Sequence, residues 1–205
     1  MKTRRLVFYS VLILLFNLIL IQAIAMMWPQ QEMTADQKKM MEQMMKYATP
    51  GKEHEFLEKY VGDWDVTISN WQSAMSKPTV SKGTIKNQLL FDGRYLMGKF
   101  EGAMGGMMSQ GLEIIGYDLL NKKFNTFWID NMGTGFLVTS GTLDASGKVL
   151  TETAQYPDPM TDGKTIQKLR NVTTFMDDGS YKFEMYMIMP DGKDMKSMEL
   201  VCKRK

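Results

Sequence analysis

The residues best able to do chemistry stand at the ends of runs that alternate in hydropathy: Arg94, Tyr95, Tyr117, Asp118, Trp128 and Asp130. Asp118 and Asp130 form a candidate acid–base pair, because one carboxyl can give a proton while the other takes one. The competing reading is local, since an Asp at a strand end often bonds the backbone N–H groups of its own turn. Trp128 and Asp130 are two residues apart and so share a face if their run is a strand. Facing a cavity, they would supply an apolar wall and a polar anchor, the mix that small-molecule sites use. Arg94 follows a hairpin signal and could pair with Asp130 or with a ligand carboxylate, or form a rim ion pair of little weight. A hydrolase or isomerase built on Asp130 and Arg94 is thus one expectation.

Other chemistry is bounded more tightly. His54 is the only histidine, so one chain cannot build a His-based metal site or a Ser-His-Asp relay. Cys202 is the only cysteine, so no internal disulfide forms. No glycine-rich loop opens a helix in the manner of a phosphate cradle, and no cofactor is expected. Methionine, at 21 residues, is the compositional outlier. Met40, Met41, Met44 and Met45 recur at helical spacing, and Met104, Met107 and Met108 form a second knot. Thioethers bind Cu(I) and oxidise reversibly to sulfoxide, which would suit envelope copper or oxidant handling. The same stripe also reads as an ordinary apolar packing face or as a docking element for a partner.

The formal net charge is +2, and Lys2, Arg4 and Arg5 lie at the extreme N-terminus. Such a balance offers no field to draw nucleic acid or anionic lipid. Those three cations precede an apolar run from Leu6 to Ala25 that closes on the small-x-small pattern Ala23 to Ala25. Residues 1–25 therefore read as a secretory signal, or as an uncleaved anchor through residues 6–25. This places the domain in the periplasm or outside the cell, with the membrane touched only through that segment.

Residues 26–51 read as a Met-rich lead-in with one helix. Thr34 and Gln37 have the spacing of a capping box, and Pro50 and Gly51 stop the helix. A second, short amphipathic helix carries His54 and ends at Gly62. Beyond it, clusters of Gly, Asn, Asp and Pro punctuate the chain at regular intervals. They separate ten strand-like runs, about 64–71, 80–90, 94–101, 109–117, 123–130, 135–143, 147–156, 165–175, 180–189 and 194–204. Short turns between successive runs make antiparallel neighbours, and a meander of about ten twisted strands closes to remove its edges. The expected fold is an all-β, up-and-down barrel over residues 52–205. Its glycine-rich segment from Gly102 to Gly106 reads as a loop at a mobile mouth.

Gly62 and Trp64 resemble the G-x-W that opens the first strand of calycin barrels, the lipocalins and their relatives. In that group the Trp plugs one barrel end and a basic residue of the last strand packs over it, which implies the same for Gly62, Trp64 and Arg204. The wider pattern is His54 and Leu57, Gly62 and Trp64, Leu90 with Asp92 to Arg94, Gly111 with Gly116 to Asp118, Phe127 to Asp130, Gly141 to Asp144, and Arg204. It is similar to the bacterial family called domain of unknown function 1579 over about residues 50–205. That resemblance implies a calycin-like barrel and brings no catalytic residue. The leading expectation is a non-enzymatic barrel that holds a small apolar or amphipathic ligand.

Overall fold

The computed structural model describes residues 32–104 and 106–205; the expected signal of residues 1–25 lies outside them. Helix α1 (Ala35–Ala48) starts on the capping box read from sequence. The Gln37 N–H donates to Thr34 Oγ1 at 3.2 Å and the Thr34 N–H to Gln37 Oε1 at 2.8 Å, satisfying donors that a helix start otherwise leaves open. Of the described residues, those through Lys46 form one unit and residues 47–205 another. Side chains tie residues 48–51 to the rest of the second unit. The Ala48 carbonyl accepts from Arg94 Nε at 3.0 Å, and the Gly51 N–H donates to His54 Nδ1 at 3.0 Å.

The body is a closed barrel of ten antiparallel strands, each paired with its neighbours in sequence and the last with the first. They are β1 (Gly62–Asn70), β2 (Thr79–Leu90), β3 (Tyr95–Met104), β4 (Met107–Asp118), β5 (Lys123–Asp130), β6 (Leu137–Leu143), β7 (Val149–Pro157), β8 (Ile166–Phe175), β9 (Tyr181–Ile188) and β10 (Asp194–Arg204). Period-two patterning decides which side chains turn inward. In β1 these are Trp64, Val66 and Ile68, all essentially inaccessible. In β9 the alternating residues Tyr181, Phe183, Met185 and Met187 point into the barrel, as do Met198, Leu200 and Cys202 in β10.

One segment departs from expectation. Gly102 lies within β3 rather than in a loop, and the β3–β4 hairpin stays paired out to Met104 and Met107. A Cβ at Gly102 would stand 2.8 Å from the Phe100 ring and 2.9 Å from Ile68 Cδ1. Here glycine makes room for packing and confers no looseness.

One barrel end is sealed. A 3₁₀ turn (Lys52–His54) leads into the short helix α2 (Glu55–Glu58), which buries Phe56 and Leu57 under the strands. Phe56, Tyr60, Phe124, Phe175, Tyr181 and Trp64 form a chain of edge-on rings with centroids 4.7–5.6 Å apart, the arrangement that ring quadrupoles favour. Trp64 is fully buried, and its indole N–H donates to the Tyr60 carbonyl at 2.7 Å. Arg204, opposite Trp64 in the β1–β10 register, lays its guanidinium 4.4 Å from that ring. The same guanidinium donates to the carbonyls of Val61 and Lys59 at 2.5 and 3.3 Å. Gly62 sits at φ +122°, and a Cβ there would meet the Arg204 guanidinium at 2.6 Å. The Gly62, Trp64 and Arg204 plug is therefore present.

His54 is buried, accepts from the Gly51 N–H and meets Tyr117 edge-on at 5.8 Å. Its contacts are those of a helix-start residue. Trp64→Ala is expected to cost about 3–5 kcal/mol of unfolding free energy in urea titrations. Arg204→Ala should cost less, because water reaches the carbonyls it leaves.

Candidate functional site

Above the sealed floor the barrel is hollow. A cavity of about 890 Å³ extends from Tyr60 and Tyr181 at the floor to a rim that includes Met132, Phe136 and Pro159. That volume lies within the range of small-molecule sites. Its walls are mainly apolar, with Phe100, Ile115, Trp128, Phe183, Met185 and Leu200 among them. Interrupting them is a polar band.

Glu113 from β4 and Glu152 from β7 are the core of that band. Thr126 and Thr139 stand opposite each other in the β5–β6 register, and both hydroxyls donate to Glu152 Oε1, at 2.8 and 3.0 Å. Asn171 of β8 is the direct cross-strand partner of Glu152. It is buried, and its side-chain oxygen has no hydrogen-bond partner. Asn87 reaches the floor, donating to the Tyr60 carbonyl at 3.0 Å.

The two carboxyls differ. Burial raises Glu152, while the Thr126 and Thr139 hydroxyls oppose the shift by bonding the charged form. Burial pushes Glu113 up to about 8, and the nearby Glu152 adds to the rise. Glu113 thus keeps its proton at neutral pH. The tyrosines of the floor, Tyr60 and Tyr181, are raised well above their usual range, chiefly by burial.

Trp128 and Asp130 do line the cavity, as the period-two reading anticipates. The indole N–H of Trp128 donates to Asp130 Oδ2 at 2.7 Å, and the Met132 N–H donates to Asp130 Oδ1 at 2.9 Å. Both Asp130 oxygens therefore have partners, and the residue fixes the indole and starts the following turn. The indole lies where a Cβ on Gly111 would stand, 2.2 Å from its ring carbon, so only glycine at position 111 lets it cross the wall.

The other sequence candidates lie elsewhere. Arg94 is at the sealed end, where it holds the β2–β3 turn through the Phe91 carbonyl at 2.8 Å and approaches Asp92 at 3.6 Å. Phe91, Asp92 and Gly93 all have positive φ, a strained run for the first two, and Arg94 clasps it. Asp130 ends β5 at the opposite end of the barrel, so the Arg94–Asp130 pair expected from sequence does not form. Tyr95 is largely exposed and packs over Gly116 and Phe91. Tyr117 packs on Phe124 and His54 outside the cavity. Asp118 caps its turn, accepting from the N–H groups of Leu120 and Asn121 and from the Asn121 side chain. The Asp118–Asp130 acid–base pair is therefore also absent, because one residue stands at each end.

The methionine groups divide between the two units. Met40, Met41, Met44 and Met45 lie on α1. Met104 lines the cavity, and Met107 and Met108 are exposed on the β3–β4 hairpin. Among the described residues no set of three His, Cys, Asp or Glu side chains is placed to hold a metal ion. Cys202 is fully buried, and burial pushes its thiol up to about 12.

A closed ten-stranded barrel with a Trp–Arg plug and a hollow interior has a calycin-like, lipocalin-type fold. The chain matches the family described as "Protein of unknown function (DUF1579)" over residues 49–204, and it belongs to that family. Among solved structures it is similar to an S-type phycobiliprotein lyase from Guillardia theta, with a TM-score of 0.52 and 12% sequence identity. That likeness covers 76% of this chain and 98% of the lyase. It is a likeness of fold. No curated protein sequence matches the chain.

Glu113 should make stability pH-dependent. A carboxyl raised from 4.5 to about 8 on folding favours the native state at acid pH. That contribution is lost as pH rises through the window between the two values, because the unfolded chain gives up the proton first. The difference between pH 5 and pH 8 should be on the order of 3 kcal/mol. Glu113→Gln should flatten it in paired thermal melts.

Proposed function

We propose that this protein is a non-enzymatic binding barrel that holds a small apolar or amphipathic ligand in its lumen. The cavity carries the reading: about 890 Å³ of space behind a sealed floor, walled mainly by aromatic and aliphatic side chains. A domain that needed only stability would fill that space, since each unfilled methylene-sized gap weakens a core. The lyase that shares the fold is named for an activity, so the barrel type does not by itself choose between binding and catalysis. The site favours binding. Asp130 is committed to Trp128 and Met132, Arg94 is at the far end, and the single thiol is buried and protonated.

Export belongs to the same proposal. Residues 1–25 act as a secretory signal, and the barrel works in the periplasm or outside the cell. An intact mass of the protein recovered from its native envelope fraction should lack those residues.

One observation favours a second reading. Glu113 and Glu152 are two buried carboxyls with different surroundings, the arrangement in which one can serve as acid and the other as base, so a lumen enzyme would rest on this pair. Native mass spectrometry separates the two. A binding barrel releases its ligand with unchanged mass after long incubation with excess ligand, and an enzyme releases a product mixture.

The cavity itself is tested with the neutral dye prodan, whose emission shifts blue in apolar surroundings. Wild-type protein should bind it with micromolar affinity. Met198→Trp, which fills the lumen from β10, should weaken binding at least tenfold while the melting temperature stays within a few degrees. Equal binding by the two proteins would place the dye outside the lumen and overturn the reading.

A further inference from the structure

Among the described residues the cavity lining has three acids, Glu113, Asp130 and Glu152, and no lysine, arginine or histidine. This is the reverse of what an anionic ligand such as a fatty acid requires, since a carboxylate brought near buried carboxyls meets repulsion in a weakly screening medium. The polar band also holds a buried acceptor that no donor reaches. Glu152 takes two hydroxyl protons on one oxygen. Directly across from it Asn171, only 6% exposed, turns an unpartnered side-chain oxygen to the same space. A buried acceptor without a donor costs stability and marks a place where a donor is wanted.

We propose that the lumen selects a ligand with a protonated amine head on an apolar body, and that the head is received by Glu113, Glu152 and Asn171. This rests on the binding reading above and adds the chemistry of the ligand. An ammonium group supplies what the band lacks: N–H donors for Glu152 and Asn171 Oδ1, and positive charge for the carboxyls. A metal ion would meet the charge, but among the described residues the acids do not gather into a set that could hold one. The walls of Phe100, Phe183, Met185 and Leu200 then cover the apolar body.

The groups facing Glu113 are Glu152 from β7, Tyr60 at the floor, Tyr181 from β9 and Cys202 from β10. None of them carries positive charge at neutral pH. A docked ammonium would be the first cation in the band. It lets Glu113 ionise, so its proton passes to solvent as the ligand binds.

The test is a head-group series at constant chain length. Decylammonium, decanol and decanoate are titrated into the full chain by calorimetry at pH 7, below their aggregation limits, in two buffers of different ionisation enthalpy. Decylammonium should bind at least tenfold tighter than decanol and a hundredfold tighter than decanoate, with net release of protons. Glu152→Gln and Asn171→Leu should each erode the preference for the amine over decanol. Glu113→Gln should abolish the proton release. Decanoate or decanol binding as tightly as decylammonium would overturn the head-group proposal and leave the binding barrel standing. An amine preference unchanged in all three variants would also overturn it. Failure of all three probes to bind would sink the binding reading itself.

Discussion

The β1–β10 pairing is the contact on which the rest of the structure depends. Nine hairpins can form one after another along the chain, but a meander with two free edges is a template for aggregation and encloses nothing. Joining Trp64 to Arg204 and the residues beyond them in antiparallel register removes both edges at once. The plug sits at that seam. Arg204 covers the Trp64 ring and ties the carbonyls of Val61 and Lys59 to the last strand. One side chain therefore binds the final residues of the chain to the turn that starts the barrel, and it fixes which end is sealed.

With one end sealed by rings, the polar groups of the interior have nowhere to go but the lumen. Satisfying them divides the two ends by chemistry. The floor uses backbone carbonyls, with the Tyr60 oxygen taking both the Trp64 indole and the Asn87 amide. The middle uses side chains, where Thr126 and Thr139 support Glu152. Asn171 is left short of a donor and Glu113 keeps its own proton. A barrel tuned for stability alone would place apolar residues at these positions, as burying carboxyls costs more than burying methyl groups.

Local features of the chain were legible in the sequence, because local physics sets them. Turn chemistry located all ten strands to within about three residues, and the Thr34–Gln37 box formed as spaced. The plug was legible through its resemblance. The site was legible only in part. Trp128 and Asp130 share the inward face, as alternation requires. Arg94 and Asp130 looked like partners because both end strands, yet in an antiparallel meander a strand's start and the end of one two strands later lie at opposite rims. Glu113 escaped notice for a different reason. Its neighbours Leu112, Ile114 and Ile115 are apolar on both faces, so alternation does not say which side of β4 is inside. Glu152 alternates with Leu150 and Ala154 on the apolar face of β7, but it is a lone carboxyl between two threonines and no motif marks it. Only closure of the barrel, a long-range event, brings these two carboxyls into one lumen.

The sealed floor also governs traffic. A tube open at both ends lets a newcomer push an occupant out ahead of it, whereas a well with one door does not. For the ligand proposed above, entry and exit share the one open end, so a newcomer waits for the occupant to leave. The rate at which the occupant leaves then sets the pace, however much competitor waits outside. Such a vessel is suited to keeping a molecule and poorly suited to handing it on, unless something at the rim, where the chain runs from Met132 to Leu137, first holds the door open.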